Sequence, residues 1–256
     1  MKTFKERVLN KELLIGTHIN INDPCIANIV AHLGFDYIWI DLEHSYLSYE
    51  NLLSHMMTIQ NAGTAVIVRV PQNDFTATKK VIEMGPDGII FPMVRTKEEA
   101  DALVSYTLYP PYGCRGFGPG NAVKFGINDV KKYVAENHET MCRFIQIEHV
   151  DLVNNLEEVT ENPYIDGYIF GPNDLSGSVN EILNVFGDKT VSLIDKSIEI
   201  LKRKNKTVGL STDFPEAEVI KKWHDMGIHM ISATSDFTLL RKGMQEVAES
   251  LKKYHQ

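Results

Sequence analysis

The chain has 256 residues, of which 43% are hydrophobic, and its formal net charge is −8. That length accommodates one large domain or two small ones, and the acidic balance argues against nucleic acid as a partner, because phosphates need a basic surface. The N-terminus lacks the apolar core of a signal peptide, no apolar run is long enough to span a bilayer, and the three cysteines lack CxxC spacing, so we expect a cytoplasmic protein without disulfides or membrane contact.

Eight short apolar runs, taken in chain order, predict the strands of the fold. They are rich in Ile, Val, Phe and Tyr and are continuous rather than alternating, which is typical of strands covered on both faces. The runs are LLIGTHI (13–19), YIWIDLE (37–43), AVIVRV (65–70), GIIFPMV (88–94), RFIQIE (143–148), GYIFGP (167–172), TVGLST (207–212) and MISATS (230–235).

Stretches with helical spacing separate most of these runs, at 49–61, 97–106, 192–204 and 214–226. This alternation predicts a parallel sheet with right-handed crossovers. Eight such strands in about 250 residues predict a (β/α)8 barrel that takes in residues 1–256 as one domain. A doubly wound open sheet is the alternative, but it requires a glycine-rich loop after an early strand, and the stretch 20–24 is not one.

Polar side chains collect at the predicted carboxyl ends of four strands, where the chemistry of a barrel is found. Bringing acids, an arginine and a histidine together on one rim costs free energy unless these groups have partners or bind a ligand. The residues are Asp41, Glu43 and His44 after strand 2, Arg69 after strand 3, Gln146 and Glu148 at strand 5, and Gly171, Asn173 and Asp174 after strand 6.

Two of these carboxylates, Glu148 and Asp174, come from neighbouring strands and suit a hard divalent cation such as Mg²⁺ or Mn²⁺. The alternative for Glu148 is a salt bridge or a charge at a helix N-terminus. The alternative for Asp174, in the stretch GPNDLS, is a helix cap, because Asp and Ser are favoured there and Gly-Pro ends a strand.

His44 and Arg69 are the other candidates for chemistry. Histidine is the usual general base near neutral pH, so His44 would serve as the base, unless it is only a structural neighbour of the acids. The guanidinium of Arg69 would bind a carboxylate or stabilise an enolate, unless it forms a structural ion pair.

The longest irregular piece is the stretch 109–120, YPPYGCRGFGPG. Its glycines do not directly follow a strand and no GK[ST] is present, so a nucleotide loop is disfavoured. We expect a rigid loop that shapes the mouth of the barrel, in which Arg115 anchors the loop or meets an anion.

Taken together, these features resemble the HpcH/HpaI aldolases, which are metal-dependent, class II pyruvate aldolases. The resemblance covers most of the chain and rests on stretches in the family's order: DLEH (41–44), RVP (69–71), PDGIIFPMVRTKEEA (86–100), YPPYGCRGFG (109–118), QIE (146–148) and GPNDLS (171–176). It implies a (β/α)8 barrel that cleaves 4-hydroxy-2-oxo acids to pyruvate and an aldehyde, or runs the reverse addition. It also implies a homo-oligomer, a hexamer built as a trimer of dimers, in which the C-terminal helix packs on a neighbour.

Carried onto this sequence, the resemblance makes Glu148 and Asp174 the ligands of a divalent cation (Mg²⁺, Mn²⁺ or Co²⁺) that also binds pyruvate. Backbone amides near Gly171 and Asn173 would hold the pyruvate carboxylate, with Gln146 also expected to contact the substrate.

For the chemical step, the resemblance makes His44 the base, with Asp41 orienting it, and Arg69 the group that stabilises the enolate oxygen. Glu83 takes the place of an acid that assists the base from a subunit interface, where the family commonly has aspartate.

Departures from the family pattern surround the expected aldehyde pocket. They are His18 in place of an aromatic residue, Asn173 in place of alanine, Ser211-Thr212 in place of apolar residues, and the run 121–124 without the usual arginine. They leave the pyruvate half intact, and we expect Ser211 to contact the substrate.

Two other functions stay open. A citrate or malyl-CoA lyase-like enzyme would act on a thioester but needs a basic, adenine-binding rim. A non-catalytic protein that binds a 2-oxo acid would not need the base, the arginine and both ligands.

The segment 237–251 has apolar residues at Leu240, Met244, Val247 and Leu251, and this spacing predicts a helix face buried against another subunit.

Overall fold

A computed structural model describes residues 2–254, and its eight parallel strands close into a barrel in chain order. The first strand pairs with both the second and the eighth, so the barrel is confirmed and the open sheet is wrong. The strands are β1 (Leu14–Ile19), β2 (Tyr37–Asp41), β3 (Ala65–Arg69), β4 (Gly88–Phe91), β5 (Cys142–Ile147), β6 (Gly167–Phe170), β7 (Thr207–Thr212) and β8 (Met230–Ser235).

The first helix precedes the first strand, and the other helices follow strands and surround the barrel. They are α1 (Phe4–Leu9), α2 (Pro24–Ala31), α3 (Tyr49–Asn61), α4 (Phe75–Met84), α5 (Lys97–Thr107), α6 (Val130–Thr140), α7 (Val150–Val159), α8 (Pro172–Ser178), α9 (Asp188–Arg203), α10 (Ala217–Asp225) and α11 (Asp236–Lys252). Helix α10 begins three residues later than predicted, because Pro215 biases the residue before it towards extended backbone.

The interior of the barrel is filled by every second residue of its strands. Trp39, Ile67, Ile90, Phe144 and Ile169 form one buried cluster, closed below by the side chain of Val8 from α1. A second, larger cluster lies between the outer faces of the strands and the helices.

The same two-residue period continues upwards and builds a polar layer over the apolar one. Two residues beyond Trp39 and Ile67 come Asp41 and Arg69, which are paired across β2 and β3. Two and four residues beyond Phe144 come Gln146 and Glu148. Alternation along a strand therefore aims these polar side chains at the barrel axis.

The stretch 109–120 lies at the opposite end of the barrel from this polar layer, so the prediction that it shapes the mouth is wrong. It starts where α5 ends, and the segment after it packs on the end of α4, where Asn121 Nδ2 donates to the Met84 carbonyl at 2.8 Å. Arg115 is buried, with its guanidinium carbon 4.5 Å from the centroid of the Tyr109 ring and 5.4 Å from that of Tyr133. It therefore anchors the loop.

Helix α11 extends away from the barrel. Of its residues only Asp236 is buried, while Leu240, Met244, Val247 and Leu251 are more than half exposed. None of the helices within residues 2–254 is long and apolar enough to cross a membrane.

Candidate active site

A cleft of about 270 Å³ opens at the carboxyl ends of the strands. It brings together every residue predicted for the site except Glu83. The lining residues are His18, Asn20, Asp41, His44, Arg69, Gln146, Glu148, Gly171, Pro172, Asn173, Asp174, Ser211, Asp213 and Ser235.

Arg69 is the central cation of the cleft and is almost fully buried. Its Nε and Nη2 donate to the two carboxylate oxygens of Asp41 at 2.8 and 2.6 Å. Burial acts to lower the pKa of Arg69, but the hydrogen bonds and charge of Asp41 outweigh it and raise the pKa. The remaining corner, Nη1, lies 3.0 Å from Glu43 Oε2, 3.8 Å from Glu148 Oε1 and 3.5 Å from Gln146 Oε1. This corner faces the acids of the cleft.

Glu148 is a buried carboxyl, and its polar neighbours only partly offset the cost of burying its ionised form. Only 2% of it is exposed, and its Oε2 accepts from the backbone N–H of Met93 at 2.9 Å. Burial raises the pKa of Glu148 to about 7, and the charges of Asp174 and Glu43 act in the same direction. A cation beside this carboxylate would favour its ionised form.

Gly171 makes room for Glu148. A Cβ atom at this position would lie 2.5 Å from Glu148 Oε1, closer than real Cβ contacts allow. The amide of Gly171 already donates to the Ile147 carbonyl at 3.1 Å. The backbone amide expected to bind the substrate carboxylate would therefore be that of Asn173, in the first turn of α8. No side chain among residues 2–254 caps this helix.

Asp174 is exposed and lies in the first turn of α8, whose cap position is occupied by Gly171. The helix-cap alternative for Asp174 is therefore wrong, although a carboxylate in the first turn still interacts favourably with the helix dipole. Its side chain is free to act as a ligand in the cleft.

His44 lies at the rim, with two-thirds of its side chain exposed and its Nε2 3.8 Å from Glu43 Oε2. Asp41, expected to orient it, instead bonds Arg69 and accepts from the backbone N–H of Glu43 at 3.0 Å. Sequence reasoning gave Glu43 no role. The available signal was its position in DLEH, two residues beyond Asp41 and therefore on the same face of the chain.

The opposite wall of the cleft carries a hydrogen-bonded pair, His18 and Ser211. His18 Nδ1 is 2.9 Å from the Thr234 carbonyl, and Nε2 is 3.3 Å from Ser211 Oγ. Burial lowers the pKa of His18, so its ring is neutral at pH 7. Asp213, which sequence reasoning missed, follows Ser211 and Thr212 at the end of β7 and also lines the cleft.

Glu83 lies at the other end of the barrel, on the last turn of α4. A Cβ atom built on Gly118 would lie 2.9 Å from its Oε1, so the glycine-rich loop covers it. Within one subunit it is remote from His44, and a role in catalysis requires a second copy of the chain.

Glu148 and Asp174 fit a divalent cation that keeps open positions. Within residues 2–254, no group of three or more His, Cys, Asp or Glu side chains is placed to hold a metal. Two carboxylates are nonetheless a common protein contribution to a magnesium site, because Mg²⁺ retains waters and substrate oxygens. The buried carboxyl of Glu148 suits this arrangement, because a cation beside it would favour its ionised form.

Comparison with known proteins identifies the chain. The family model described as HpcH/HpaI aldolase/citrate lyase matches residues 14–242. The chain belongs to the HpcH/HpaI aldolase/citrate lyase family. The predicted family and the predicted class of enzyme, an aldolase-type lyase, are therefore confirmed.

Individual relatives match between 83% and 98% of the chain. A hydroxypyruvate/pyruvate aldolase of Pseudomonas aeruginosa is 26% identical over 97% of this chain and 92% of its own. A 2-keto-3-deoxy-L-rhamnonate aldolase of Escherichia coli K12 is 30% identical over 83% of this chain and 80% of its own. The crystal structure of an HpcH/HpaI aldolase from Desulfitobacterium hafniense superposes with a TM-score of 0.91 at 26% identity, covering 98% and 97% of the two chains.

Proposed function

We propose that this enzyme cleaves a 4-hydroxy-2-oxo acid to pyruvate and an aldehyde, and catalyses the reverse addition, with a divalent cation held by Glu148 and Asp174. The C3–C4 bond breaks, the electron pair stays on C3, and the proton of the 4-hydroxyl goes to a base. Protonation of C3 then completes pyruvate. Mg²⁺, Mn²⁺ and Co²⁺ are the candidate cations.

The observation that carries the proposal is the buried carboxyl of Glu148, whose pKa is raised to about 7, in one cleft with Asp174 and the Nη1 corner of Arg69. A cation bound there would supply Lewis acidity to the 2-oxo group of the substrate. With that cation neutralising the two acids, the guanidinium of Arg69 would complete a site for an oxyanion.

Each remaining residue has a task in this proposal. Arg69 Nη1 donates to the oxygen that gains charge as the enolate forms, where a fixed donor lowers the barrier most. His44 moves the proton at the rim, with Glu43 beside it as a partner for its charged form. The N–H of Asn173 binds the pyruvate carboxylate, and Gln146 helps to orient the substrate.

Deuterium exchange tests the proposal without knowledge of the aldehyde. We expect the enzyme with Mg²⁺ or Mn²⁺ to exchange the C3 hydrogens of pyruvate in D₂O, with no acceptor present. Proton NMR would show the methyl signal decaying faster than with buffer and metal alone. Exhaustive chelation should stop the exchange and added Mn²⁺ should restore it.

Two outcomes would overturn the proposal. Absence of exchange with metal bound would move the thioester lyase or the non-catalytic 2-oxo acid binder ahead. Full exchange after chelation, or trapping of a pyruvate adduct by borohydride, would point to a Schiff base, although no lysine is among the described residues that line the cleft.

A further inference from the structure

A second pocket adjoins the cleft and shares a wall with it. This annex, also of about 270 Å³, is lined on its far side by Leu183, Val185, Phe186 and Phe214. Pro172, Asn173, Ser211 and Asp213 line both spaces. A ligand that leaves the cleft past Ser211 therefore meets the apolar side chains on the far side of the annex.

On the side of His18, Ser211 and Asp213, the wall between the two spaces presents hydrogen-bond acceptors. His18 Nδ1 needs a proton to donate to the Thr234 carbonyl, which leaves Nε2 of the neutral ring as an acceptor. Ser211 Oγ donates to that nitrogen, so the lone pairs of the hydroxyl remain. The carboxylate of Asp213 is also acceptor-only. A ligand hydroxyl can donate to this set, whereas a ligand carboxylate would meet lone pairs and a like charge.

The annex itself is aromatic. The Phe186 ring lies 6.0 Å from that of Phe214 and stacks at 6.1 Å on that of Trp223. One cation adjoins it, because Lys222 Nζ lies 5.6 Å from the centroid of the Phe186 ring, but Lys222 is not one of the residues that line the annex. An uncharged hydrocarbon chain matches this surface.

We propose that the acceptor aldehyde is an uncharged 2-hydroxyaldehyde with an apolar chain, its hydroxyl donating to Ser211 or Asp213 and its chain lying in the annex against Phe186 and Phe214. This inference rests on the proposed aldol function and names its acceptor class. The enzyme selects against acceptors that carry a second carboxylate.

Four aldehydes separate the contributions of the hydroxyl, the chain and the charge. They are 2-hydroxypentanal, pentanal, 2-hydroxypropanal and succinic semialdehyde, each tested by its kcat/KM for addition to pyruvate. We expect 2-hydroxypentanal to be fastest, about fifteenfold over 2-hydroxypropanal, because each of its two further methylene groups contributes about fourfold. We expect at least tenfold over pentanal, and succinic semialdehyde to be slowest.

Variants test which residue is responsible for each preference. The ratio of kcat/KM between two aldehydes is compared, because a general loss of activity lowers both values and leaves their ratio unchanged. Phe214→Ala, or Phe214→Leu should the first fail to fold, reduces the ratio of 2-hydroxypentanal to 2-hydroxypropanal. Ser211→Ala reduces the ratio of 2-hydroxypentanal to pentanal. Asp213→Asn raises the relative rate with succinic semialdehyde, whereas Glu216→Gln, which removes a charge from the same loop outside both pockets, leaves all ratios unchanged.

The exchange of pyruvate hydrogens by the wild-type enzyme keeps this inference separate from the proposed function. If pyruvate exchanges but succinic semialdehyde is preferred, or chain length has no effect, the acceptor class is wrong and the aldol function stands. If pyruvate does not exchange and no aldehyde adds, both are wrong.

Discussion

Asp41 and Arg69 lie opposite each other on β2 and β3 and are joined by two hydrogen bonds of 2.8 and 2.6 Å. Burial acts to raise the pKa of Asp41, but the guanidinium holds it below its usual value. Since two corners of Arg69 are held in this way, its third corner has a fixed direction, towards Glu43 and Glu148. The pair thus orients the Nη1 donor that an enolate oxygen would meet.

Arg69→Ala should suppress pyruvate exchange by roughly 10²–10³, the usual cost of losing a donor at a developing oxyanion. It should also destabilise the fold by about 3–5 kcal/mol, because the buried carboxylate of Asp41 loses its partner. The double variant Asp41→Ala/Arg69→Ala should be less destabilised than the sum of the single variants. Urea unfolding and NMR exchange measure the two effects, and strictly additive losses of stability would contradict the pairing.

The metal-free enzyme should lose stability as pH rises through the window set by Glu148. Its pKa is about 7 in the folded protein against an ordinary value of 4.5. Between these values the unfolded chain has released a proton that the folded protein retains, so the free energy of unfolding falls as pH rises. Above pH 7 both states are ionised and the penalty is constant.

Glu148→Gln is the matched control for that prediction, because glutamine imitates the protonated acid. Thermal unfolding of the chelated proteins from pH 5 to pH 8 should show wild type losing stability relative to the variant as pH rises. Parallel curves would mean that Glu148 does not titrate in this window.

The sequence was sufficient for the barrel because each buried strand is a continuous apolar run and polar residues follow at its carboxyl end. The sequence also predicted that Glu148, Asp174 and Arg69 lie at one rim of the barrel. It did not predict the partner of Asp41, because the bond to Arg69 depends on the register between two strands, and spacing along one strand points equally to His44.

Side-chain pairing across the barrel was also out of reach. His18 and Ser211 are separated by 193 positions and meet only because β7 and β8 close the sheet onto β1. The stretch 109–120 was placed at the wrong end because glycines and prolines report a loop but not the face on which it packs. Its attachment to α4 depends on contacts such as that of Asn121 with Met84.

The exposed apolar face of α11 should be buried in a homo-oligomer, which we propose to be a trimer of dimers. Val247 and Leu251 are 54% and 62% exposed on this face. Val247→Asp should lower the mass measured by light scattering at micromolar concentration, whereas Lys242→Asp, on the opposite side of the same helix, should not. A monomeric wild type would contradict the prediction and would remove the route by which Glu83 could reach His44.

Gly171→Ala should disable the cation site and leave the barrel folded. The added Cβ would lie 2.5 Å from Oε1 and 2.7 Å from Cγ of Glu148, so the carboxylate must leave its present position. The backbone of Gly171 has a φ of −108°, which alanine adopts freely, so the effect arises from the contact and not from strain.

Gly177→Ala is the matched control within the same short helix. Its added Cβ would meet Ile182 Cδ1 at 3.5 Å, an ordinary contact, and alanine is favoured over glycine in a helix by up to about 1 kcal/mol. Titration with Mn²⁺, followed by calorimetry, should show affinity lost in Gly171→Ala and retained in Gly177→Ala, with both variants cooperatively folded. Equal Mn²⁺ affinity in Gly171→Ala and wild type would mean that Glu148 does not hold the cation, because the three atoms nearest the added Cβ all belong to Glu148.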